Sequence, residues 1–511
     1  MTPLGGQAPG PDDPGWMGRV SSKLGATDAV MNVSGSVVLG LYVLGLTAYL
    51  YTSAGPSAFG VWVSVSAVIA PLSVLDAGLT LAVTRSTAAR VAGERESVHE
   101  LAAAVSLYVI LGLVAWVAAV VLTTIPIVTL TRSGESVIAT FAVGFFLGLD
   151  VAVGLVTTPW LSALRGLRRF RSVLIGSVVQ VAVAIPLTLT LFALFGLPGA
   201  AMAQAAARVA GRTVIGIALR GSARWFPMRP RIPRRAFVRR VLSFSSPLIV
   251  IAVASQVSFA SDILVVGAFA GSLAASAFAI GAKLPALALS FVQQALDVFF
   301  PSFVAGATTG NATKGATADR ALRLAGLMGG AVFFFLILAR DPVLVLWVGP
   351  VDPLASQVLL VYSLAWCLHT PAHVIALLLV ASGRHRQLAP ITGLESILNL
   401  ALSIILVLTI GPIGAAIGSL VAVAISNLIL VPALGHRQVG LPTTFSVREI
   451  VAGGALGLAI AVAAYALPVL AVEPGRLRLA VQCMVGASLG GAAVYWLWPG
   501  ISSAGQSSRV D

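Results

Sequence analysis

The sequence predicts an all-α polytopic membrane protein with about fourteen transmembrane helices. Its 511 residues are 58% hydrophobic and only 10% charged, whereas soluble proteins carry about 25% charged residues. The mean hydropathy is +0.98, and apolar runs of about 20 residues, the length that crosses a bilayer as a helix, recur along the chain. The runs are continuous rather than alternating, which is typical of helices and not of barrel strands. A soluble enzyme of this length is excluded.

Fourteen apolar runs, separated by charged residues or by Pro and Gly, give the predicted helices. They lie at residues 30–52, 57–83, 101–124, 136–160, 172–195, 197–219, 243–267, 272–300, 321–339, 354–381, 389–409, 412–434, 450–471 and 477–498. Residues 1–27 are rich in Gly and Pro, and Asp12 and Asp13 stand where a signal peptide needs its apolar stretch. This segment and residues 499–511 are predicted to be cytoplasmic tails, the first of them disordered.

The positive charges predict the orientation of the chain. Of the 32 Lys and Arg residues, 25 fall in segments on the N-terminal side of the predicted membrane, four on the opposite side and three within helices. Cytoplasmic loops of membrane proteins carry such an excess. The bias predicts a multi-pass protein of the plasma or inner membrane with both termini cytoplasmic. The net charge of +14 is then a signal of topology and indicates no nucleic-acid partner.

The longest predicted loop, residues 221–242, is a basic cytoplasmic linker that divides the first twelve helices into two sets of six. It also contains Trp225 and Phe226. Basic and aromatic side chains together suit the anionic headgroup surface of a membrane. A solvated linker explains the same composition, so both interpretations stay open.

Short motifs repeat along the chain at a nearly constant spacing. Ser57-Ala58-Phe59 and Ser276-Ala277-Phe278 are 219 residues apart, and G-L-P-G-A-A at 196–201 and G-P-I-G-A-A at 411–416 are 215 apart. Each match is weak alone, but their order indicates an internal duplication.

The duplication predicts two six-helix lobes, residues 28–220 and 243–435. Because six is even, both lobes enter the membrane from the same side. The pseudo-twofold axis that relates them therefore runs along the membrane normal. Two C-terminal helices, within residues 436–498, lie outside the repeat. Two lobes around a central cavity predict alternating access.

Asp262 and Lys283 are the first candidates for a site inside the membrane, where an ionisable group costs about 2.5–3.5 kcal/mol or more. They lie on consecutive antiparallel helices and differ in depth by about 10 Å at the helical rise per residue. One interpretation is a salt bridge that locks the two helices together. The other is a cationic Lys283 in the cavity that meets phosphate or an acidic sugar.

Asp150, Arg208 and Arg212 are the corresponding candidates in the first lobe. Asp150 lies near the middle of its helix and is predicted to bind a coupling ion, or to be a buried carboxyl bonded to a neighbouring helix or to Arg208. Arg208 and Arg212 share a helix face at i,i+4 spacing. Their guanidinium groups suit a pyrophosphate, although long basic side chains also extend to the membrane surface.

Other polar groups in the helices predict lesser roles. Asp76, Asp297 and Glu395 are predicted to cap helices or to pair with loops, and the i,i+4 pair His369 and His373 indicates helix packing or a proton relay. No third metal ligand accompanies the histidines. The sequence contains no P-loop, no acidic pair in an outer loop and no readable Ser-His-Asp pattern. No cofactor, metal or enzymatic activity is predicted.

Six motifs occur in a set order between residues 30 and 435. They are P-L-S-V-L-D-A-G-L-T-L-A-V-T-R at 71–85, L-R-G-L-R-R-F at 164–170, S-S-P-L at 245–248, S-D-I-L-V-V-G-A-F-A-G at 261–271 with A-I-G-A-K-L at 279–284, D-P-V-L-V-L-W-V-G at 341–349 and A-S-G-R-H-R at 381–386. Together they resemble the Wzx-type lipid-linked oligosaccharide flippases, the polysaccharide transporter family of the multidrug/oligosaccharidyl-lipid/polysaccharide flippase superfamily.

This resemblance implies a flippase that moves an undecaprenyl-pyrophosphate-linked oligosaccharide from the inner to the outer leaflet for cell-surface polysaccharide synthesis. It implies coupling to an H⁺ or Na⁺ gradient, contact with membrane lipids, and a glycan polymerase and glycosyltransferases as partners. At the positions that match the family's motifs, the resemblance implies functional roles for Asp76, Arg85, Asp262 and Lys283. The complete candidate site is Lys283, Arg208, Arg212 and Arg85 for substrate, and Asp150, Asp262 and Asp76 for ion coupling or gating.

Three alternatives remain open at this point. A multidrug-type ion antiporter ordinarily has twelve helices, whereas a lipid II flippase has fourteen. Arg85 is the only Arg on the first two helices, which weighs against the Arg-rich cavity expected of a lipid II flippase. A membrane glycosyltransferase or ligase would need a catalytic outer loop that the sequence lacks.

Overall fold

The computed structural model of the protein describes residues 14–74, 79–91, 97–125, 136–228, 230, 235–300, 302–304, 316–439 and 447–466. Every regular element in these ranges is a helix. Ten segments within them are long and apolar enough to cross a membrane. The predicted all-α polytopic class is confirmed.

Seven helices form the N-terminal lobe of the described chain. They are α1 (Pro14–Ala54), α2 (Pro56–Ile69), α3 (Leu79–Val91), α4 (Ser97–Leu122), α5 (Val137–Gly166), α6 (Phe170–Phe195) and α7 (Leu197–Ser222). A 3-10 segment, Ala70–Val74, continues α2. The helix α7 packs along α6 and α5, and α5 also packs against α4, so these helices share one core.

Eight further helices follow in the C-terminal half. They are α8 (Arg235–Leu296), α9 (Ala316–Leu338), α10 (Arg340–Val348), α11 (Pro353–Ala381), α12 (Leu388–Ile410), α13 (Ile413–Ile425), α14 (Val431–Val439) and α15 (Val447–Ala466). A π-helical turn, Ser426–Leu430, joins α13 to α14. The helix α15 packs against α9.

The turns at the helix ends repeat between the two halves. Gly271 has φ 88° and divides α8 into two arms, and Gly55, with φ 86°, stands 216 residues earlier between α1 and α2. A side chain is strained at such angles, so Gly is favoured there. Other residues with positive φ pair at a spacing of 215: Gly196 with Gly411, and Arg168 with Gly383. This backbone repeat supports the predicted two-lobed duplication independently of the short motifs.

Several element boundaries differ from the prediction. The helix α1 begins at Pro14, inside the segment predicted to be disordered, since Pro fits the first turn of a helix. The second predicted helix changes to 3-10 geometry at Ala70, because Pro71 has no N–H for the α-helical ladder. The helix α8 begins at Arg235, so the end of the predicted linker is helical. The predicted helix 477–498 lies outside the described residues.

The aromatic residues after α7 pack on the N-terminal lobe. Phe226 is 5% exposed and joins a core cluster that includes Tyr108 and Leu219, and Trp225 packs against the same cluster. The Arg90 guanidinium lies 5.6 Å from the centre of the Trp225 ring. Both aromatic residues therefore pack on the protein, which neither interpretation of this loop predicted.

The two lobes touch most closely near Gly55 and Gly271. The hydroxyls of Ser57 on α2 and Ser272 on α8 are 3.1 Å apart, and a Cβ at Gly60 would overlap the Ser272 carbonyl. The indole N–H of Trp347 on α10 also donates to the Leu44 carbonyl of α1 at 3.0 Å. We call the Ser57–Ser272 contact and the close approach at Gly60 the lobe clasp; it joins the two lobes directly.

Candidate functional site

A cavity of about 250 Å³ lies between the lobes, with α1 and α2 on one side and α8 and α11 on the other. It extends from Phe59 and Phe278, near the lobe clasp, to Ala70 and Ala286 further along the same helices. We call it the central cavity. Polar and aromatic side chains form much of its wall: Thr47, Trp62, Ser66, Gln256, Lys283, Tyr362 and Trp366.

Lys283 is the charged residue among the described lining of the central cavity. It lies on the second arm of α8, three turns from Gly271. No carboxylate within the described ranges forms a salt bridge with its ammonium group. A cation held in a low-dielectric space without a paired acid attracts an anionic ligand strongly. Lys283 therefore places a positive charge without a salt-bridge partner among the described residues at the wall of the central cavity.

Asp262 is fully buried and does not form the salt bridge with Lys283 that was one interpretation of the sequence. Its carboxylate accepts hydrogen bonds from the hydroxyls of Tyr362 at 2.5 Å, Ser403 at 2.6 Å and Ser419. Hydrogen bonds to an ionised group are stronger than neutral ones. Three hydroxyl donors thus hold this carboxylate in place without a cation among the described residues.

A second cavity, of about 220 Å³, lies within the C-terminal lobe and shares a wall with the central cavity. Tyr362 and Trp366 line both cavities, and their rings stack with centroids 5.6 Å apart. The polar residues that line the second cavity are Ser258, Asp262, Gln293, His369, Thr392, Glu395, Ser396, Asn399 and Ser419. The two aromatic rings therefore separate Lys283 from a space that contains two carboxylates.

Two residue pairs of i,i+4 spacing face each other near the end of α8. Gln293 and Asp297, the second in the 3-10 turn that follows α8, lie against His369 and His373 on α11. Gln293 Nε2 lies 3.3 Å from His369 Nε2 and 3.5 Å from His373 Nδ1, and His373 Nε2 lies 3.0 Å from Asp297 Oδ1. The side chain of Asp297 is 51% exposed and that of His373 is 18% exposed. The cluster therefore runs from an exposed carboxylate to the second cavity.

In the N-terminal lobe, Asp150 on α5 and Arg208 on α7 form a bidentate ion pair. Arg208 Nε lies 2.5 Å from Asp150 Oδ1, and Nη2 lies 2.6 Å from Oδ2. Exposed fractions of 28% for Arg208 and 10% for Asp150 show that the pair is mostly enclosed. The fork geometry satisfies both charges, as the alternative interpretation of Asp150 predicted.

The other predicted site residues are not among the described lining of the central cavity. Arg212 follows Arg208 by one turn on α7, and neither is among the described lining of the central cavity. Arg85 lies in α3, but its side chain is not among the described ones, and Asp76 lies outside the described residues. Of the four predicted substrate-binding residues, the structure places Lys283 in the cavity.

Sequence reasoning missed most of the partners of the candidate residues. Tyr362, Ser403 and Ser419 surround Asp262, and Gln293 bridges the two histidines. One signal was readable, because Asn399 and Ser403 are spaced i,i+4 on an otherwise apolar helix, which marks a polar face. Within the described segments, no group of three or more His, Cys, Asp or Glu side chains forms a potential metal site.

Residues 32–306, more than half of the chain, match the protein family described as "Polysaccharide biosynthesis protein". The chain belongs to this family. The comparison with curated proteins finds no match. Membership of the polysaccharide biosynthesis family confirms the resemblance inferred from the motifs, of which those at 341–349 and 381–386 lie beyond the matched residues.

Solved structures share the fold of this family member. Lipid II flippase MurJ in an inward closed conformation is 13% identical, with a TM-score of 0.66, and the match covers 92% of this chain and 99% of MurJ. An inward-facing multidrug resistance MATE family transporter of the MOP superfamily is 17% identical, with a TM-score of 0.63, covering 80% and 94%. A MOP superfamily transporter from Pyrococcus furiosus is 16% identical, with a TM-score of 0.60, covering 81% and 94%. The fold is that of MOP superfamily transporters.

Proposed function

We propose that the protein is a flippase that moves an undecaprenyl-pyrophosphate-linked oligosaccharide from the inner to the outer leaflet for cell-surface polysaccharide synthesis. The observation that carries this proposal is the central cavity with Lys283, a cation that has no salt-bridge partner among the described residues. Membership of the polysaccharide biosynthesis family supports the glycan part of the proposal. In this account the protein is a transporter and catalyses no covalent step.

The walls of the central cavity suit a headgroup that contains both phosphate and sugar. The Lys283 ammonium group attracts phosphate oxygens by charge. The Trp62 and Trp366 side chains line the cavity and give aromatic surface for contact with a sugar ring, and Ser66 and Gln256 supply hydrogen-bonding groups. In this proposal the polyprenyl chain stays in the surrounding lipid, where its apolar surface is kept away from water.

We propose that the lobe clasp opens and closes during alternating access. The Ser57–Ser272 contact and the close approach at Gly60 join the lobes beside Phe59 and Phe278, which line one end of the central cavity. We propose that this end faces outward, as the Lys and Arg distribution predicts, and that both termini are cytoplasmic in the plasma or inner membrane. Rocking of the two lobes would open the clasp and release the headgroup to the outer leaflet. A glycan polymerase would then receive it, and glycosyltransferases would supply it inside.

Ion coupling is the second part of the proposal. Asp262 is buried, carries hydroxyl partners from three helices and shares Tyr362 with the central cavity, so H⁺ or Na⁺ bound there would act on the cavity wall. Asp150 and Arg208 form an ion pair with each other. In this proposal either residue takes part in transport only after that ion pair breaks. We keep Arg85 and Arg212 as proposed phosphate contacts and Asp76 as a proposed gating carboxylate.

Depletion of the protein tests the proposed function directly. We expect lipid-linked glycan to accumulate on the inner leaflet and to fall on the outer leaflet, measured by a membrane-impermeant probe on intact cells and on lysed cells. Wild-type protein restores the outer pool, whereas Lys283→Met does not. An unchanged outer pool with continued polymer synthesis contradicts the flippase proposal.

A lipid II flippase is the second candidate. The match to MurJ extends over 92% of this chain, more than the 80% matched by the multidrug transporter. The same depletion distinguishes the two candidates, because loss of lipid II flipping stops peptidoglycan synthesis and causes lysis, whereas loss of oligosaccharide flipping spares the cell wall. Drug accumulation in depleted cells with both lipid pools unchanged would identify a multidrug antiporter instead.

A further inference from the structure

The two halves of the molecule end one pair of equivalent helices with the same turn. After α5, the backbone N–H groups of Arg168 and Arg169 donate to carbonyls in the last turn of the helix, at 3.0 and 2.8 Å. After α11, Gly383 and Arg384 do the same at the same two distances. This is the Schellman arrangement, in which the first residue beyond the helix adopts left-handed backbone angles. The two turns can therefore be compared residue by residue at a spacing of 215.

The left-handed position of this turn is occupied by Gly383 in one half and by Arg168 in the other. The φ angle is 72° at Gly383 and 56° at Arg168, and among the described residues Arg168 is the one non-glycine residue whose φ is positive. A residue with a Cβ is strained in this region, whereas Gly adopts it freely. Arg168 occupies the position against this backbone preference, which indicates that its side chain has a use outside the turn.

The side chain of Arg168 is exposed, and four further exposed arginines accompany it. Arg169 follows in the same turn, and Arg171 lies in the first turn of α6. Arg220 lies in the last turn of α7, and Arg224 follows that helix. We call these five residues the arginine surface.

The packing of the lobe brings the end of α7 to the turn between α5 and α6. Leu164 on α5, Val173 on α6 and Leu219 on α7 belong to the same buried cluster. Each of them lies within about one helical turn of an arginine of the surface. The five arginines therefore share one end of the N-terminal lobe.

Few acidic side chains accompany this surface. The described side chains of the N-terminal lobe include one carboxylate, that of Asp150, and it pairs with Arg208 about 27 Å from the turn at the helical rise along α5. Glu94, Glu96 and Glu100, in the region where α4 begins, are not among the described side chains. Neighbouring like charges repel each other, and an anion placed among them is attracted by several at once. The surface therefore suits an anionic partner.

An aromatic residue indicates where this end of the lobe lies in the membrane. Trp225 directly follows Arg224, is partly exposed and has the Arg90 guanidinium 5.6 Å from the centre of its ring. Trp is enriched at the boundary between lipid and water. Both α5 and α6 are long and apolar enough to cross a membrane, so the turn that joins them is expected at the same boundary. Phospholipid phosphates lie at this depth.

We propose that the arginine surface binds the headgroups of anionic phospholipids of the inner leaflet, and that Arg168 is the contact that the equivalent turn of the C-terminal half lacks. A guanidinium group presents a fork of donors that matches phosphate oxygens. Clusters of four to eight basic residues at the cytoplasmic membrane surface attract anionic lipids. A bound phospholipid anchors this end of the N-terminal lobe to the leaflet. The proposal concerns the outer surface of the lobe and does not depend on what the central cavity carries.

Native mass spectrometry of the full chain in detergent tests this proposal. The protein is titrated separately with phosphatidylglycerol, which is anionic, and with phosphatidylcholine of the same acyl chains, which has no net charge. Arg168→Gly installs the residue of the equivalent turn, so the fold is kept. The Arg169→Gln, Arg171→Gln variant has a matched control in Arg384→Gln, Arg386→Gln, the exposed arginines at the same two positions of the other turn.

We expect the wild type to bind phosphatidylglycerol more tightly than phosphatidylcholine. Arg168→Gly should lower the affinity for phosphatidylglycerol about fivefold, which corresponds to one basic residue at an anionic membrane surface. Its melting temperature should be unchanged or higher, because the backbone strain is relieved. Arg169→Gln, Arg171→Gln should lower the affinity further, whereas the control variant should bind both lipids as the wild type does.

Equal affinity of the wild type for the two lipids overturns the proposal, as does an affinity for phosphatidylglycerol that Arg168→Gly leaves unchanged. Equal losses in the two double variants would show a general effect of surface charge and would also overturn it. Undecaprenyl pyrophosphate is titrated in the same way: if Arg168→Gly weakens its binding and not that of phosphatidylglycerol, the surface receives the transported lipid and the phospholipid proposal is wrong. The leaflet experiment decides the flippase function separately.

Discussion

The two lobes hold buried charge in different ways. In the N-terminal lobe, Asp150 and Arg208 lie within 2.5 Å of each other and form a bidentate pair. In the C-terminal lobe, Asp262 is surrounded by hydroxyls and Lys283 lines the central cavity without a salt bridge to any described carboxylate. A charge with a fixed partner stabilises packing, whereas one without such a partner is available to a ligand. We therefore propose that Asp262 and Lys283 act in coupling and binding, and that the Asp150–Arg208 pair stabilises the packing of its own lobe.

The largest expected effect is loss of the N-terminal ion pair. Asp150→Ala leaves the Arg208 guanidinium mostly enclosed and unpaired, and breaking such a buried pair costs about 3–5 kcal/mol of unfolding free energy. Thermal unfolding in detergent would measure this loss. An Asp150→Leu, Arg208→Met double variant should recover most of it, because both charges are then absent. Full stability of Asp150→Ala would show that the pair has no structural role.

The next largest effect is expected at Lys283 in the C-terminal lobe, where we expect a loss of transport and not of stability. Lys283→Met keeps the length of the side chain and removes its charge, so we expect transport to fall about tenfold to a hundredfold, which corresponds to a charged hydrogen bond of about 1.5–3 kcal/mol. Stability should be unchanged or higher, since an unpaired buried ammonium group no longer has to be desolvated. A variant that unfolds more easily but transports normally would assign Lys283 a structural role.

A smaller effect is expected at the shared wall of the cavities. Tyr362→Phe removes one of three hydroxyl donors to Asp262 and keeps the ring that stacks on Trp366. The loss of one hydrogen bond to a charged group corresponds to about 1.5 kcal/mol of unfolding free energy. Denaturant or thermal unfolding measures it, and Tyr42→Phe in the N-terminal lobe is the control, because its hydroxyl makes only a long contact of 3.5 Å. Equal losses in both variants would contradict the role of the Asp262 cluster.

The smallest effect is expected at an exposed ion pair. Arg323→Ala breaks the i,i+4 pair with Asp319 on α9, whose side chains are more than half exposed. Such pairs contribute about 0.3–0.5 kcal/mol, so unfolding should hardly change. A loss comparable to that of Asp150→Ala would show that burial is not what distinguishes the two pairs.

The sequence was sufficient for the features that depend on local composition. Apolar runs located thirteen of the fourteen predicted helices among the described elements, because a bilayer requires about 20 apolar residues in a row. The repeat motifs near residues 196 and 411 coincide with turns of the same backbone geometry. Pairing of Asp150 with Arg208 was one of two interpretations, since an isolated buried carboxylate requires a partner.

Features that depend on packing between distant segments could not be predicted. The hydroxyl partners of Asp262 lie 100, 141 and 157 residues away, and Ser and Tyr are too common in membrane helices to indicate such a contact. His369 and His373 were noticed for their spacing, but Gln293 and Asp297, also spaced i,i+4, were not connected with them. The register between α8 and α11 brings these pairs together, and register is a property of the folded bundle.

The central claim is that Lys283 meets the phosphate of the transported lipid in the central cavity. Native mass spectrometry of the protein titrated with undecaprenyl pyrophosphate, compared for wild type, Lys283→Met and Lys283→Arg, tests it most directly. We predict binding at least about tenfold weaker for Lys283→Met, the loss expected for one charged contact, and near wild-type binding for Lys283→Arg. Equal affinity of wild type and Lys283→Met would contradict the account.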